Sequence, residues 1–396
     1  MNRRDASKML GLGAFAVGAA AGAGLRPSGA AAATQQPVTA APKGGSVSRA
    51  NRKAWAKEHF RGFENVLMPS FTPDLHALDE AGIRLDVRKS IEHGFFSTLC
   101  APVGLTVPEV KRFVEVAVDE AKGRISVALA LPAAGSEAEA LDLLAHAERA
   151  GCQHILLDLP SEGSEDDLYR FGAKYSEATN LGIYLWMAQK HNFRRFNSAR
   201  IPYAAFDKLA SLPNIVALKV GDMDPAVLFE LFERYNDRML IGALWLSIMP
   251  IAIKAYGEQW SGAWTVEALQ SPEKPYATDF FKLMMAGKYE AGMKLYWRYL
   301  APAFGAMMKT MGPLMPSGGH PWEHLKYYQF VSGGNGGRMR KDPEHPNLPP
   351  VTVQDMEGVK ATFRSLDIVP SDTPDEAFRV GRLNYENGVR AKDLVG

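Results

Sequence analysis

The 396-residue sequence predicts an α/β fold, a (β/α)8 barrel with a C-terminal helical extension. Three observations point there. Eight short apolar runs between Glu64 and Trp264 alternate with amphipathic stretches, a pattern that implies parallel strands joined by helices. No Gly-x-Gly-x-x-Gly follows the first strand, so a dinucleotide-binding sheet lacks its main signature. The run Ile215–Leu218 delivers Lys219 at a strand's carboxyl end, the end at which a barrel builds its active site.

The elements follow in order. Glu64–Met68 reads as a first strand, and Leu78, Ile83, Val87 and Ile91 recur at helical spacing through Leu78–His93. Phe95–Leu99 is a second strand. Val107–Ala121 is a helix with Thr106 as N-cap and Glu109 in its first turn. Arg124–Leu131 is a strand, and Ser136–Ala150 a helix opened by the capping box Ser136/Glu139. His154–Leu159, Ile183–Met187, Ile215–Lys219, Met239–Ala243 and Trp260–Trp264 are the remaining strands. Helices at Glu165–Thr179, Ala204–Ser211, Pro225–Tyr235 and Leu246–Tyr256 separate them. Beyond the barrel, Asp279–Ala286 and Tyr289–Met308 carry Met, Phe, Tyr and Trp at helical spacing, the mark of core or of a subunit contact. His324–Val331 and Val353–Arg364 are further helices, and the Gly/Pro-rich stretch Ser332–Pro350 is loop.

The front of the chain reads as an address. Arg3-Arg4 precede a Gly/Ala-rich apolar run, Met9 to Leu25, and Ala30–Ala33 offer small-residue cleavage sites. The arginine pair favours the Tat route and a periplasmic or secreted product; Ala6-Ser7 depart from the usual residues after the pair. The run is too short and glycine-rich to span a bilayer, which takes ~20 apolar residues. The domain plan is therefore a signal peptide over 1–33, a flexible leader over 34–60, the barrel over 61–270, a helical bundle over 271–366 and an extended tail over 367–396.

With 45 basic and 44 acidic side chains, the chain shows no basic stripe for nucleic acid. Cys100 and Cys152 fall at the end of one predicted strand and the start of another. Opposite ends of a barrel exceed the ~7 Å Cα separation that a disulfide can bridge, so two free thiols are expected. No Cys/His spacing matches a zinc site; His320-Pro-Trp-Glu-His324 has an i, i+4 histidine pair but not the metalloprotease order. Lys219 carries the sharpest chemical expectation. A partly desolvated lysine reaches its neutral amine more easily, and a neutral amine attacks a carbonyl to form a Schiff base. A lysine that simply ends a strand is the plain alternative.

From about residue 64 to 366 the chain resembles the dihydrodipicolinate synthase / N-acetylneuraminate lyase family of class I aldolases, as a divergent exported member. Leu78-Asp79-Glu80, Leu105-Thr106-x-x-Glu109, Ala145-His146-Ala147 before Gly151, Pro213–Lys219, and His324–Tyr327 with the loop to Arg338 carry the likeness. The resemblance implies a Schiff base between Lys219 and a 2-oxo acid such as pyruvate, no organic cofactor, and a homo-oligomer, dimer or tetramer. Departures are equally plain. The family's Gly-Thr-Thr-Gly-Glu is Ser97-Thr98-Leu99-Cys100-Ala101 here, so Ser97 and Thr98 are what remains to hold a substrate carboxylate. Trp186 stands where the family has its proton-relaying tyrosine, and an indole donates only N–H. His191 replaces an expected arginine; Arg194 and Arg195, in the loop beyond it, are the candidates for a second anionic group. Side chains alternate along a strand, so Tyr184 lies one layer below Trp186, ~6–7 Å deeper, and its hydroxyl is the candidate replacement relay. Three functions stay open: a lyase on a 2-oxo acid, by aldol cleavage, condensation or dehydration; a non-catalytic barrel that binds a small ligand or partner in the periplasm; and an outlying barrel enzyme with a different substrate and a merely structural lysine.

Overall fold

The computed structural model describes residues 47–131, 135–262, 265–317, 320–343 and 345–394. The expected signal peptide, most of the expected leader and Trp264 lie outside the described residues. Eight parallel strands form one sheet in the order β7-β6-β5-β4-β3-β2-β1-β8. They are β1 (Gly62–Leu67), β2 (Ser97–Cys100), β3 (Ser126–Ala130), β4 (His154–Asp158), β5 (Gly182–Met187), β6 (Ile215–Val220), β7 (Leu240–Ala243) and β8 (Trp260–Ser261). Crossover helices join consecutive strands: α2 (Glu80–Glu92), α3 (Val107–Ala121), α4 (Glu137–Ala150), α5 (Glu165–Ala178), α6 (Tyr203–Leu209), α7 (Pro225–Tyr235) and α8 (Met249–Tyr256). The capping signals at Thr106/Glu109 and Ser136/Glu139 are real: each glutamate accepts from the cap's backbone N–H, at 2.9 and 2.8 Å.

Side chains close the last seam of the barrel. The Ser261 hydroxyl donates to the Ala243 carbonyl at 2.5 Å, and the Ala243 amide donates to Glu258 Oε1 at 2.6 Å. Gly242 makes room there: a Cβ on it would stand 2.7 Å from Trp260 Cε2. The indole of Trp260 thus fills the interior beside a strand that has no side chain to offer. Cys100 and Cys152 are both buried and free, as expected.

Two segments differ from expectation. Composition predicts a flexible leader through residue 60, but α1 (Arg52–His59) is a helix that plugs the amino-terminal end of the barrel. Trp55, Ala56 and Phe60 are buried with Leu99, Ala128, Leu156, Tyr184, Val216, Ala217 and Trp260 in one interior cluster. Phe60 lies edge-on to Tyr184 and Trp260, with ring centroids 6.3 and 5.2 Å away. Arg52 donates to the carbonyls of Gln153 and Asn180, which precede β4 and β5. Polar composition outweighs the Trp55/Ala56/Phe60 spacing in the sequence, although an open barrel end needs an apolar stopper.

The tail, predicted to be extended, is folded too. Past α9 (Tyr276–Met285), α10 (Tyr289–Leu295), α11 (Ala301–Met311), α12 (Trp322–Val331) and α13 (Val353–Ser365) come two short helices, α14 (Asp375–Val380) and α15 (Arg382–Glu386). Phe378 of α14 is buried against Tyr327 and Phe330, at 4.9 and 5.5 Å. Arg382 donates to the Phe330 and Gly334 carbonyls at 2.8 and 2.9 Å and so caps the end of α12. The predicted single helix Tyr289–Met308 contains a π-turn, Tyr296–Leu300, just before Pro302; a proline lacks the N–H that a regular turn would use. Most of its stripe is core, while Trp297 is 66% exposed.

Outside the barrel wall, β1 and α12 enclose a polar knot. Glu267 Oε1 accepts from Asn65 Nδ2 at 2.7 Å and from Gln329 Nε2 at 3.0 Å. Burial, reinforced by the charge of Asp86, raises the Glu267 carboxyl to about 7. A carboxyl raised in the folded state is protonated there while its unfolded counterpart ionises, so it favours folding below its unfolded value and stops doing so as pH rises through 7. Glu267→Gln is therefore expected to flatten the fall of unfolding free energy between pH 4.5 and 7 by on the order of 3 kcal/mol. Urea unfolding at half-unit pH steps measures it; an unchanged slope refutes the assignment.

Candidate active site

Register sets the site. In a parallel sheet, paired residues present side chains to the same face. Asp158, Trp186, Lys219 and Gly242 pair across β4, β5, β6 and β7, which makes one row near the carboxyl ends of these strands. One step down come Leu156, Tyr184, Ala217 and Leu240. Lys219 is 6% exposed. Its Nζ lies 5.0 Å from the Trp186 ring centroid. The indole crosses the barrel mouth because residue 221 is glycine; a Cβ there would be 2.5 Å from Trp186 Cη2.

Desolvation lowers the Lys219 pKa to about 8, with the charges of Glu64 and Asp158 opposing the drop. About one molecule in ten then carries the neutral amine at pH 7. Lys219 forms no hydrogen bond or ion pair with another side chain among the described residues. Among the described residues its nitrogen is held by a ring face and by distant charge, and no hydrogen bond to a side chain commits it.

Beneath the lysine sits a residue that the sequence pattern does not single out. Glu64 of β1 is buried and points into the barrel. Its Oε1 accepts from the Tyr184 hydroxyl at 2.7 Å, and its Oε2 accepts from His154 Nε2 at 3.0 Å. Ser97 Oγ lies 3.2 Å from the same His154 nitrogen. Burial alone would push the Glu64 carboxyl up; His154, the charge of Lys219 and the Tyr184 hydroxyl outweigh it and hold it below its usual value. Tyr184 responds in kind. Its phenol is pushed well up by burial and by the Glu64 charge. Gly262 lets the two sides meet. A Cβ on it would be 3.3 Å from Glu64 Oε1 and 3.3 Å from both Cδ and Cε of Lys219.

A second charged group borders the row. His191 Nδ1 accepts from the Ala188 amide at 2.8 Å, so its Nε2 carries the proton that it donates to Asp158 Oδ1 at 2.7 Å. Lys190 holds the other Asp158 oxygen. Burial raises the Asp158 carboxyl, and His191 and Lys190 more than reverse it, so it stays ionised. His320, from the segment before α12, completes the surroundings. Desolvation and then the charges of Lys219 and Lys190 lower its ring to about 4, so it is neutral at pH 7. From sequence alone this histidine reads as structural; the fold brings it within the field of the lysine.

The expected residues sort clearly. Lys219, Trp186, Tyr184 and Ser97 converge in the barrel. Thr98 does not: it pairs with Asn65, whose amide reaches Ser90 and Glu267 outside the barrel, so Thr98 faces the helices. The inward residues of β2 are Ser97 and Leu99, and the Thr98 expectation is corrected by that alternation. Arg195 is also reassigned. Its donors go to the backbone carbonyls of Gly163, His191, Asn192, Pro160 and Glu162, and its guanidinium lies 4.1 Å from the Phe196 ring centroid. It staples the loop after β5 to the loop after β4 and has nothing left for an anion. Arg194 is exposed, and nothing ties it to Lys219. Glu64 and His154 were legible in principle, as polar residues at inward positions of otherwise apolar strands. Among the described residues, no group of three His, Cys, Asp or Glu side chains is placed to hold a metal ion.

No family model matches the chain. The chain is 27% identical over 260 residues to the 4-hydroxy-tetrahydrodipicolinate synthase of Methanopyrus kandleri, covering 63% of this chain and 82% of the relative. It is 26% identical over 245 residues to the synthase of the same name from Phenylobacterium zucineum, covering 59% and 78%. Among solved structures, a dihydrodipicolinate synthase superposes with TM-score 0.62 at 17% identity, over 78% of this chain and 100% of the other. The N-acetylneuraminate lyase of Fusobacterium nucleatum does so with TM-score 0.60 at 16% identity, over 78% and 99%. At those identities the superpositions speak to the fold, and the sequence relatives speak to common descent.

The two arginines separate by experiment. Arg195→Ala is expected to destabilise the chain by roughly 1–2 kcal/mol, since it strands several loop carbonyls. Arg194→Ala should stay within about 0.5 kcal/mol, as exposed substitutions do. Denaturant midpoints measure both; equal effects contradict the staple.

Proposed function

We propose that this protein is a lyase of the dihydrodipicolinate synthase type, acting on a small 2-oxo acid through a Schiff base at Lys219. The observation that carries the reading is the lysine itself: desolvated, lowered to about 8, and free of any hydrogen bond to another described side chain. Such an amine is a nucleophile near neutral pH. Attack on the keto carbon and loss of water leave a protonated imine, which withdraws electrons from the α-carbon. That sink serves aldol cleavage, condensation and dehydration alike. Relatives named as 4-hydroxy-tetrahydrodipicolinate synthases support the reaction class. The family's Gly-Thr-Thr-Gly-Glu stretch is Ser97-Thr98-Leu99-Cys100-Ala101 in this chain.

Wild-type protein incubated with pyruvate and other small 2-oxo acids, then with borohydride, is expected to gain the mass of the reduced adduct at Lys219. Adduct formation should rise with pH through about 8, as the amine loses its proton. Lys219→Arg should abolish the gain, because arginine stays protonated and has no lone pair to offer. Intact mass and peptide mapping read both. If no 2-oxo acid ever adds mass, the lyase reading fails and the barrel is a binding protein with a buried lysine.

We also propose export through the arginine pair at Arg3-Arg4, which the Tat route reads. Arg3→Lys with Arg4→Lys should leave precursor in the cytoplasm; an unchanged periplasmic yield rules that route out.

A further inference from the structure

We propose that the Glu64 carboxylate is the proton-transfer group of the Lys219 site, with Tyr184 and His154 as positioning residues that aim it; this rests on the Schiff-base reading above. Strand alternation alone points to the Tyr184 hydroxyl as the proton relay. In the folded chain that hydroxyl is already committed, because it donates to Glu64 Oε1 at 2.7 Å. A phenol committed to a carboxylate and pushed well up by burial is a poor acid and a poor base. The carboxylate it holds is the better candidate.

Position supports this. Glu64 Oε1 and Lys219 Cε each lie 3.3 Å from the point where a Gly262 Cβ would stand, so the two side chains share one small space. Glu64 makes its close contact with His154, a hydrogen bond of 3.0 Å, and not with Lys219. Carboxylate and amine therefore feel each other's charge across a gap instead of collapsing together. A carbonyl bonded through carbon to Nζ can place its oxygen in that gap. Held from two sides, by Tyr184 on one oxygen and His154 on the other, the carboxylate has a fixed orientation and still has lone pairs to spare.

The protons balance without a solvent donor. Glu64 takes a proton from the Lys219 ammonium, which frees the nitrogen lone pair. Nitrogen attacks the carbonyl carbon, the N–C bond forms, and the π pair moves to oxygen, which receives the proton back from Glu64. Glu64 next removes a second proton from the now cationic nitrogen, giving a neutral carbinolamine. It returns that proton to the hydroxyl; the C–O bond breaks, water leaves, and the nitrogen lone pair closes the C=N⁺ bond. The carboxylate ends ionised, as it began.

Charge supplies a signature that a purely structural role would not. The groups around Lys219 are Glu64 on β1, Asp158 on β4, Lys190 after β5 and His320 before α12, with the Tyr184 phenol and the His154 ring below. Glu64 and Asp158 raise the lysine, and Lys190 lowers it. Removing the Glu64 charge must therefore ease deprotonation of Lys219.

The test is the rate of borohydride-trapped adduct with pyruvate against pH, in wild type, Glu64→Gln, Glu64→Asp and Tyr184→Phe. Glu64→Gln should slow the plateau rate by ~10²–10⁴-fold, the usual worth of a positioned acid–base group. Its pH midpoint should move to lower pH. Glu64→Asp keeps the charge but withdraws it by one methylene, so the rate should fall at least about tenfold with the midpoint near that of wild type. It serves if Glu64→Gln does not fold. Tyr184→Phe should slow trapping less than Glu64→Gln and still give the full adduct mass. Glu64 variants that trap at the wild-type rate and midpoint overturn the proposal while leaving the Lys219 reading intact. A wild-type chain that gains no mass with any 2-oxo acid overturns both.

Discussion

The charge inside the barrel is the constraint around which the rest is arranged. A carboxylate at Glu64 and an amine at Lys219 are both almost wholly removed from water. An ion in that setting persists only when it is answered by opposite charge and hydrogen bonds. Glu64 is answered by Tyr184, by His154 and by the field of Lys219. Among the described residues Lys219 is answered at a distance, and burial lowers its pKa further than the Glu64 and Asp158 charges restore it. That asymmetry is the chemical content of the site: one member of the pair is pinned as an anion, the other is poised to lose its proton.

Holding two charges in so small a space requires the surrounding wall to be thin in some places and thick in others. Gly221, Gly242 and Gly262 thin it, each opposite a large side chain or a reactive one. Trp186 and Trp260 thicken it. Below, α1 drives Trp55 and Phe60 into the open end and covers the polar web from that side. The Asp158–His191–Lys190 cluster and the Arg195 staple act at the mouth, where they fix the loop that follows β5.

The plug and the folded tail show how a sequence pattern misleads in a consistent direction. Residues 49–60 and 375–386 are short, polar helices whose few apolar residues are spaced too sparsely to announce themselves. Trp55 and Phe378 become core only because a barrel end and a helix pair elsewhere in the chain lack a cover. Thr98 and Arg195 escape local pattern for related reasons. A strand's facing is fixed by its neighbours' register, and an arginine's partner by which loop happens to lie beside it.

The alternation of apolar runs with 3.6-residue periodicity was enough, by itself, to determine the barrel, its strand count and the place of Lys219 at the end of β6. Those are properties of local pattern and of chain order, and both are written along the sequence. The pairing of Lys219 with Glu64 was not. The two residues sit on β1 and β6, far apart in the chain, and meet across Gly262 only because the sheet curls until β8 lies beside β1. Closure of the barrel, a tertiary event driven by burial of the whole inner surface, decided which polar residues would share a space and hence what the lysine can do.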